Sequence, residues 1–292
     1  MNVLVTGANG QLGTHMRSTM QRTEHRCFYV DVAELDVCDA AAVRQYVHQH
    51  EIEVIVNCAA YTNVDRAEDD EATAYAVNCT AVDNMAQAMK ECDGWLLHVS
   101  TDYVFGGIQN CLPCTEQTPA APLGAYGRTK WAGEEVLRKS GCRYLIVRTA
   151  WLYSEYGTNF AKTMLRLFSE RTEVKVVFDQ VGTPTYAGDL ASALTRMVEA
   201  IGEGNVACGT YHYSNEGVCS WYDFAVAIAR ESNAGTCRVL PCHSNEFPSK
   251  VHRPAYSVLD KTAVKSAFDL EIPHWEASVQ RCITNLLTRQ GK

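Results

Sequence analysis

The chain has 292 residues, is 47% hydrophobic and carries a formal net charge of -8 at pH 7. This length and composition predict a globular protein with a substantial core, in one large domain or two smaller ones. The acidic balance argues against a protein whose main task is to bind nucleic acid by neutralising phosphates. No apolar run approaches the ~18 residues that span a bilayer, and NVLVTGANG at the N-terminus carries no secretory signal, so we predict no membrane contact and a cytoplasmic location.

The 13 cysteines are an odd number and lie mostly in apolar segments. They predict reduced, buried thiols rather than a disulfide framework. Cys111 and Cys114 have the spacing of a metal knuckle, but a second pair is missing unless Cys237, Cys242 and His243 are combined into one. Because repeated spacing is the mark of a zinc site, we predict no metal.

Short β-rich runs alternate with longer helical patterns up to about residue 150. The alternation predicts βαβ units on a parallel sheet, and strands such as EVIVN, which are apolar on both faces, predict helices on both sides. The predicted fold is α/β, with a doubly wound, Rossmann-like parallel sheet for dinucleotide binding in 1–150 and a smaller mixed α/β substrate-binding region in 151–292. Segments after residue 150 can also contribute strands or helices to this first domain. The predicted strands are 2–6, 26–31, 53–59, 95–100 and 143–151, and the helices are 11–22, 40–50, 71–91 and 124–140.

Three glycines in TGANGQLG lie between the first strand and the first helix. Glycines there permit a tight turn that brings backbone N–H groups and a helix N-terminus to a pyrophosphate. A tight turn without a ligand is the alternative. The dinucleotide contacts predicted in this segment are Gly7, Asn9, Gly10, Gln11 and Leu12.

Asp31 ends the second predicted strand, where a carboxylate can accept hydrogen bonds from the adenosine ribose. A carboxylate repels a 2′-phosphate, which favours NADH over NADPH, but Arg17, Arg22 and Arg26 lie nearby and leave NADH or NADPH open. Asp36 is either an adenine-side contact or part of the start of the next helix. The contacts predicted after the third strand are Ala59, Ala60 and Tyr61.

Tyr126 and Lys130 are four residues apart in the helical segment GAYGRTKW. This spacing places the phenol and the ammonium on one helix face. A neighbouring ammonium lowers the pKa of a phenol, which suits the tyrosine to general acid/base work. The alternative is a chance pairing of a packed aromatic ring with a solvated lysine.

Eight segments spread over most of the chain occur together in a fixed order. They are TGANGQLG, NCAAYTNVDRAE, VSTDYVFGG, YGRTK, RTAW, NFAKTML, DQVGTPT and HRPAYSVLD. Through these segments the chain resembles the extended short-chain dehydrogenase/reductases and, within them, the dTDP-4-dehydrorhamnose reductases. The resemblance implies an NAD(P)H-dependent reductase of the 4-keto group of a nucleotide-activated deoxysugar, with dTDP-4-dehydro-L-rhamnose reduced to dTDP-L-rhamnose.

The resemblance implies a catalytic role for three residues. Tyr126 acts as the general acid, and Lys130 lowers the pKa of Tyr126 and holds the nicotinamide ribose. Thr101 hydrogen-bonds the carbonyl oxygen, in preference to Ser100 or to a purely local role for the hydroxyl. Two preplaced donors stabilise the charge that the oxygen gains in the transition state.

The resemblance also implies a pocket for the nucleotide sugar. Trp151 offers an apolar wall to the sugar, with a core position as its alternative. Arg253 meets the diphosphate, with a solvated surface position as its alternative. The predicted substrate-binding residues are Thr62, Val64, Thr101, Asp102, Trp151, Asn159, Gln180 and Arg253.

Some family members join protomers through magnesium held by glutamates. His15 and Gly188 stand at those positions here, so the sequence does not predict that device, and a homodimer is left open. Two other functions compete with the reductase. One is a sugar-nucleotide epimerase, and the other is a non-catalytic dinucleotide-binding subunit resembling the regulatory β subunit of methionine adenosyltransferase.

Overall fold

The computed structural model describes residues 1–108, 111–234, 237–246, 250–251 and 253–290. Gly and Pro cluster in 106–124 and 241–255, which predicts loops around the site. Parts of these two stretches, and His252 of the HRPAYSVLD motif, lie outside the described residues. Short turns of 3₁₀-helix cover Asp102–Phe105 and Ser244–Glu246. The strands are β1 (Asn2–Thr6), β2 (Arg26–Val30), β3 (Val54–Asn57), β4 (Trp95–Thr101), β5 (Arg143–Thr149), β6 (Leu152–Tyr153), β7 (Glu173–Val177), β8 (Val181–Gly182), β9 (Thr185–Tyr186), β10 (Gly209–His212), β11 (Cys219–Ser220) and β12 (Arg238–Cys242).

The helices include every helix that the sequence predicts in the first 150 residues, and α7, α8, α9 and α11 match helical segments that the sequence also predicts after residue 150. Two short helices were not predicted, namely α3 after β3 and α10 before the last helix. The helices are α1 (Gln11–Met20), α2 (Ala40–Gln49), α3 (Val64–Ala67), α4 (Glu71–Tyr75), α5 (Ala81–Glu91), α6 (Ala125–Ser140), α7 (Phe160–Glu170), α8 (Ala187–Gly202), α9 (Trp221–Glu231), α10 (Thr262–Phe268) and α11 (Trp275–Gln290).

Within the described residues, a six-stranded parallel sheet runs in the order β2-β1-β3-β4-β5-β10. The chain moves from β1 to β2 on one side and then crosses to β3 on the other. The strand order therefore reverses between β1 and β3, which is where open α/β sheets bind ligands at the carboxyl ends of their strands. The predicted doubly wound fold is confirmed.

Helices cover both faces of the sheet, as the apolar strands predict. Alternate residues of β1 point to opposite faces, so Val3 and Val5 pack with α1 and α8, whereas Leu4 packs with α2, α5 and α6. All three side chains are fully buried. Helix α8 and strand β10 come from the second half of the chain, so later segments do join the first sheet. The division at residue 150 stays a prediction.

The predicted helix 71–91 is interrupted by a π-helical turn over Ala76–Thr80. Helix α6 crosses this turn so closely that a Cβ on Gly133 would lie 2.1 Å from the carbonyl oxygen of Asn78. The side chain of Asn78 accepts a hydrogen bond from the backbone N–H of Tyr61 at 2.9 Å. The spacing of hydrophobic residues does not predict such a turn, because the helix has the same buried face before and after the turn.

The second half adds a smaller α/β region around its own core. Helices α7, α9 and α11 pack there with β7, and the buried side chains include Phe168, Phe224 and Ile283. Small pairings hold the remaining strands, namely β6 with β9, β8 with β11 and β7 with β12. None of the helices in the described part of the chain combines the length and apolarity needed to cross a membrane.

A buried ion pair connects β5 to α6. Arg148 and Glu134 are 2% and 0% exposed, and their closest nitrogen and oxygen are 2.7 Å apart. Ser100 donates to the same carboxylate at 2.5 Å, and Arg138 donates to it at 2.6 Å. Burial raises the pKa of Glu134, but the hydrogen bonds and charge of Arg148 outweigh burial, so the pKa lies below its usual value.

We predict that Arg148→Ala lowers the free energy of unfolding by about 3 kcal/mol, because it leaves a buried carboxylate without its main cation. The control is Arg143→Ala on the same strand, whose partner Asp93 is 87% exposed. That variant should lose about 1 kcal/mol or less. Urea unfolding followed by circular dichroism measures both, and equal losses would contradict the assignment of stability to the buried pair.

Candidate active site

A cleft of about 740 Å³ opens at the carboxyl ends of β1, β3 and β4. It lies where the strand order reverses, so its floor is made from Thr6 and from the residues that follow each strand. One end is the glycine turn, and the other end reaches Tyr126 and Trp151. The predicted site residues that line it are Gly7, Gly10, Gln11, Leu12, Asp31, Asp36, Ala59, Ala60, Thr62, Val64, Thr101, Asp102, Tyr126, Lys130, Trp151 and Asn159.

The glycine turn has a backbone that other residues would not tolerate. Gly7 has φ +60, and a Cβ there would lie 2.7 Å from the backbone nitrogen of Ala59. A Cβ on Gly13 would lie 2.3 Å from the carbonyl oxygen of Gly7, so this glycine lets α1 pack against the turn. Helix α1 starts without a side-chain cap at Gly10 and without an acidic residue in its first turn. Its N-terminal N–H groups are therefore suited to an anion.

Asp31 faces the same end of the cleft. Its carboxylate accepts hydrogen bonds from the backbone N–H of Asn9 at 3.0 Å and of Val32 at 2.9 Å. Asn9 thus reaches the site through its backbone, although it does not line the cleft. The three arginines noted in the sequence do not line the cleft either, and Arg17 lies over the ring of Tyr29 at 4.3 Å.

Tyr126 and Thr101 meet at the centre of the cleft, from α6 and from the end of β4. The Thr101 hydroxyl lies close enough to the Tyr126 phenol to lower its pKa. This hydroxyl donates to Asp102 Oδ1 at 3.1 Å and accepts from the backbone N–H of Tyr103 at 3.2 Å. The structure thus brings Thr101 and Tyr126, two of the predicted site residues, together in one cleft.

The predicted lowering of the pKa of Tyr126 is wrong for this structure. Burial raises the pKa of the phenol, and the nearby Thr101 hydroxyl offsets only part of that effect. Lys130 does not bond the phenol, because its amine donates to the carbonyl oxygen of Val99 at 2.7 Å and contacts His98 Nε2 at 3.3 Å. A phenol with a raised pKa stays protonated at neutral pH and can serve as a proton donor.

Lys130 is a buried amine, 1% exposed. Burial lowers its pKa from 10.5 to about 8, and the charges of Glu134 and Cys58 oppose the shift. Asp102 is shifted in the opposite direction, since burial raises its pKa to about 6 and hydrogen bonds from Ser257 and Thr101 lower it only in part. Perturbed pKa values of this kind cluster at functional sites.

Trp151 has an unusual backbone conformation, with φ +48. Its ring stacks on Trp221 at 3.6 Å and 10°, and a Cβ on Gly182 would lie 2.7 Å from Cε2 of the indole. A bulky residue in the left-handed region is strained and persists only when its surroundings hold it. The two neighbours therefore hold the indole at the cleft wall.

Asn159 joins the second half of the chain to the glycine turn. Its amide donates to Gln11 Oε1 at 2.8 Å, while its carbonyl oxygen caps α7 by accepting from the backbone N–H of Lys162 at 3.1 Å. Gly157, next to it, has φ +61, and a Cβ there would lie 2.9 Å from Gln11 Cγ. This loop closes one side of the cleft.

Three other predicted residues are not among those that line the cleft. Tyr61 packs, as Tyr126 does, against a cluster of buried alanines. Gln180 donates a hydrogen bond to Ser244 Oγ at 2.9 Å. Arg253 lies 3.6 Å from Asp65 and acts electrostatically on Tyr103, which does line the cleft. Arg253 therefore sits near the rim of the cleft rather than in it.

Sequence reasoning missed several lining residues. Val99 and Tyr103 flank Thr101, and Thr149 ends β5, so the rule that ligands lie beyond the carboxyl ends of strands could have found them. Leu35 and Val77 carry no such signal, because loop and helix packing bring them to the cleft. The other missed residues are Thr6, Val30, Val32, Val37, Cys38, Cys58, Ser100, Ala150, Leu152, Gly157 and Thr158.

The positions compared with the magnesium-binding glutamates have other surroundings here. His15 Nε2 lies 3.1 Å from Glu155 Oε2, and the same carboxylate accepts from the Tyr186 hydroxyl at 2.7 Å. A Cβ on Gly188 would lie 2.6 Å from the ring of Tyr186. Among the described residues, no three His, Cys, Asp or Glu side chains are grouped to hold a metal ion.

Comparison with known proteins gives consistent matches over the whole chain. The family model of the RmlD substrate binding domain matches residues 1–288. The dTDP-4-dehydrorhamnose reductase of Aggregatibacter actinomycetemcomitans is 38% identical over 285 residues, covering 95% of this chain and 97% of that protein. The dTDP-4-dehydrorhamnose reductase of Escherichia coli K12 is 36% identical over 298 residues, covering 99% of both.

A solved structure agrees with these sequence matches. The dTDP-4-dehydrorhamnose reductase of Bacillus anthracis, solved in complex with NADP, is 38% identical with a TM-score of 0.92, covering 97% of this chain and 99% of that one. Sequence, length and fold thus agree along the entire chain. The chain belongs to the RmlD substrate binding domain family, the family of the dTDP-4-dehydrorhamnose reductases.

Proposed function

We propose that this chain is an NAD(P)H-dependent dTDP-4-dehydrorhamnose reductase. The observation that carries the proposal is the meeting of Thr101, Tyr126 and Lys130 in the cleft that begins at the glycine turn. A binding subunit has no chemical need for a proton donor beside a buried amine. Membership in the family supplies the substrate class.

The glycine turn and the residues around it fit a nicotinamide dinucleotide. The turn at Gly7 and Gly10 and the uncapped start of α1 suit a pyrophosphate, because backbone N–H groups can approach it closely. Asp31 is placed for the adenosine ribose, and Ala59 leaves space beside the turn. Lys130 and Tyr126 lie at the other end of the cleft and would hold the nicotinamide ribose.

Hydride for the reduction comes from the reduced nicotinamide when it is bound. Tyr126 gives its hydroxyl proton to the ketone oxygen, which becomes the alcohol. The Thr101 hydroxyl turns its single hydrogen from Asp102 Oδ1 to the same oxygen and donates a second hydrogen bond there. The high pKa of the buried phenol keeps that proton in place until negative charge develops on the oxygen. The two hydroxyls thus stabilise the transition state more than the ground state.

The nucleotide sugar is proposed to enter from the side of the cleft opposite the glycine turn. Thr62, Val64 and Asp102 line this part, and Trp151 supplies a rigid apolar wall for the deoxysugar. We propose that Arg253 at the rim binds the diphosphate, and its pairing with the half-exposed Asp65 at 3.6 Å leaves the guanidinium partly open to solvent. Residues 151–292 are accordingly proposed as the main substrate-binding region, and 1–150 as the cofactor-binding region.

We propose a cytoplasmic location for the protein. Among the described residues, Cys92, Cys111 and Cys208 are exposed and form no disulfide. Exposed unpaired thiols are typical of a reducing compartment. A homodimer stays a prediction.

We predict that Tyr126→Phe reduces kcat by about two to four orders of magnitude, because the donated proton is lost. Cofactor binding should stay nearly intact, because Lys130 still holds the nicotinamide ribose. The measurement is oxidation of NADH or NADPH in the presence of dTDP-4-dehydro-6-deoxy-L-mannose. The control is Tyr153→Phe, since the Tyr153 hydroxyl is buried without a hydrogen-bond partner among the described residues. Undiminished turnover in Tyr126→Phe would contradict the assignment of Tyr126 as the general acid.

Asp31→Ala should raise kcat/KM for NADPH relative to NADH by about tenfold, because it removes a ribose acceptor and a charge that repels a 2′-phosphate. The matched comparison is Asp36→Ala, which also changes the cleft but should affect both cofactors alike. Kinetics of each variant with each cofactor give the ratio. A ratio that Asp31→Ala leaves unchanged contradicts the proposed ribose contact.

Arg253→Ala should raise KM for the nucleotide sugar by about tenfold or more, because a charge-assisted contact to the diphosphate is lost. The Kd for NADH, measured by fluorescence titration, should change little. Lys250→Ala is the control, since Lys250 is an exposed neighbour paired with Asp69. Equal losses for sugar and cofactor would count against the role of Arg253.

A further inference from the structure

Three buried polar side chains cross the apolar centre of the sheet in register. Thr6 of β1 pairs with Asn57 of β3, and Asn57 pairs with His98 of β4. The three are between 0% and 1% exposed, on a sheet face that is otherwise packed with aliphatic side chains. Burying a polar group costs free energy unless the group is hydrogen-bonded. The amine of Lys130 lies next to His98, at the end of this row of three side chains.

The donors around Asn57 determine which way its amide faces. The backbone N–H of Ala59 lies 3.1 Å from Asn57 Oδ1 and can only donate. Thr6 donates to the same oxygen at 2.7 Å. The other end of the amide is therefore the NH₂ group, which lies 3.0 Å from His98 Nδ1. A flipped amide would leave the Ala59 N–H facing another donor.

The amide in turn determines the tautomer of His98. Since Asn57 donates to Nδ1, that nitrogen accepts and carries no hydrogen. Burial and then the charge of Lys130 lower the pKa of His98 well below its usual value, so the ring is neutral and its hydrogen is on Nε2. This Nε2–H points towards the Lys130 amine at 3.3 Å.

An ammonium and an Nε2–H group are both donors and cannot bond each other. A neutral amine, by contrast, has a lone pair that accepts from Nε2–H while it still donates to the carbonyl oxygen of Val99. We propose that His98, oriented by Asn57 and Thr6, is a positioning residue that favours the neutral amine of Lys130. This inference rests on the proposed function only in treating Lys130 as part of the active site.

Other groups around Lys130 act in the opposite direction. Glu134, one turn further along α6, and Cys58, after β3, both favour the ammonium. The carboxylate of Glu134 is held by Arg148 and Arg138, which limits its effect. The amine is thus balanced between two protonation states. The ammonium is lost as pH rises through about 8, and the reduction rate should fall on that alkaline side.

The first test reads the tautomer of His98 in the intact protein without substrate. Long-range ¹H–¹⁵N NMR of the histidine rings should show His98 with hydrogen on Nε2 and none on Nδ1. In Asn57→Asp the new carboxylate accepts from the ring, so the hydrogen should move to Nδ1. An Nδ1–H tautomer in the unmodified chain would overturn the inference.

The second test titrates Lys130 through its ¹³Cε signal, assigned by its loss in Lys130→Arg. In His98→Gln the amide oxygen can accept from an ammonium, so the titration midpoint should rise by about one pH unit. The pKa on the alkaline side of the pH profile of kcat/KM should rise by a similar amount. His212→Gln is the control, since His212 is equally buried but lies against Arg148 and Cys114.

The two tests separate this inference from the proposed function. An unchanged or lowered Lys130 midpoint in His98→Gln overturns the inference, whatever the activity. Should His98→Gln fail to fold, the same titration in Asn57→Asp decides, since both substitutions are expected to raise the midpoint. Absence of keto-sugar reduction by the unmodified chain would contradict the reductase and leave both NMR results standing.

Discussion

The burial of the Lys130 amine beneath the carboxyl edge of the sheet is the constraint on which the site depends. An amine with 1% exposure has left water, and its polar contacts are the Val99 carbonyl oxygen and His98 Nε2. Its charge is therefore sensitive to each neighbour and to whatever fills the cleft. A solvated lysine at the same helical position would hold its proton at any physiological pH.

The same desolvation explains why the two other titratable groups of the site depart from their usual values. Tyr126 keeps its proton because a buried phenolate is costly, and Asp102 titrates near 6 for the same reason. In the proposed reduction, the proton donor must hold its proton until the hydride arrives. Burial gives Tyr126 that property without a direct contact between the lysine and the phenol.

The fold makes this burial possible by separating its polar networks from its apolar layers. On one face of the sheet, Glu134 and Arg148 neutralise each other near β5. On the same face, the row from Thr6 to His98 satisfies its own donors and acceptors. Because each network is internally paired, aliphatic residues can fill the space between them. The site residues are then held by rigid strands and by α6 rather than by loops alone.

Much of this could be predicted from sequence. Alternating strands and helices indicated a parallel sheet, the glycines of TGANGQLG indicated the cofactor end, and the spacing of Tyr126 and Lys130 placed both on one helix face. These are local patterns, readable within one turn or one strand. The π-helical turn at Ala76–Thr80 was not predicted, because α6 pressing on Asn78 from another part of the chain accompanies it.

The direction of the tyrosine pKa shift was predicted wrongly for a related reason. Spacing shows that two side chains can meet, but it does not show where their polar atoms find partners. Only the tertiary structure turned the Lys130 amine towards Val99 and His98 and surrounded Tyr126 with apolar groups. By itself, the sequence determined the fold class, the cofactor turn and the candidate chemical groups. Tertiary packing decided their protonation, since desolvation depends on every residue that excludes water from the site.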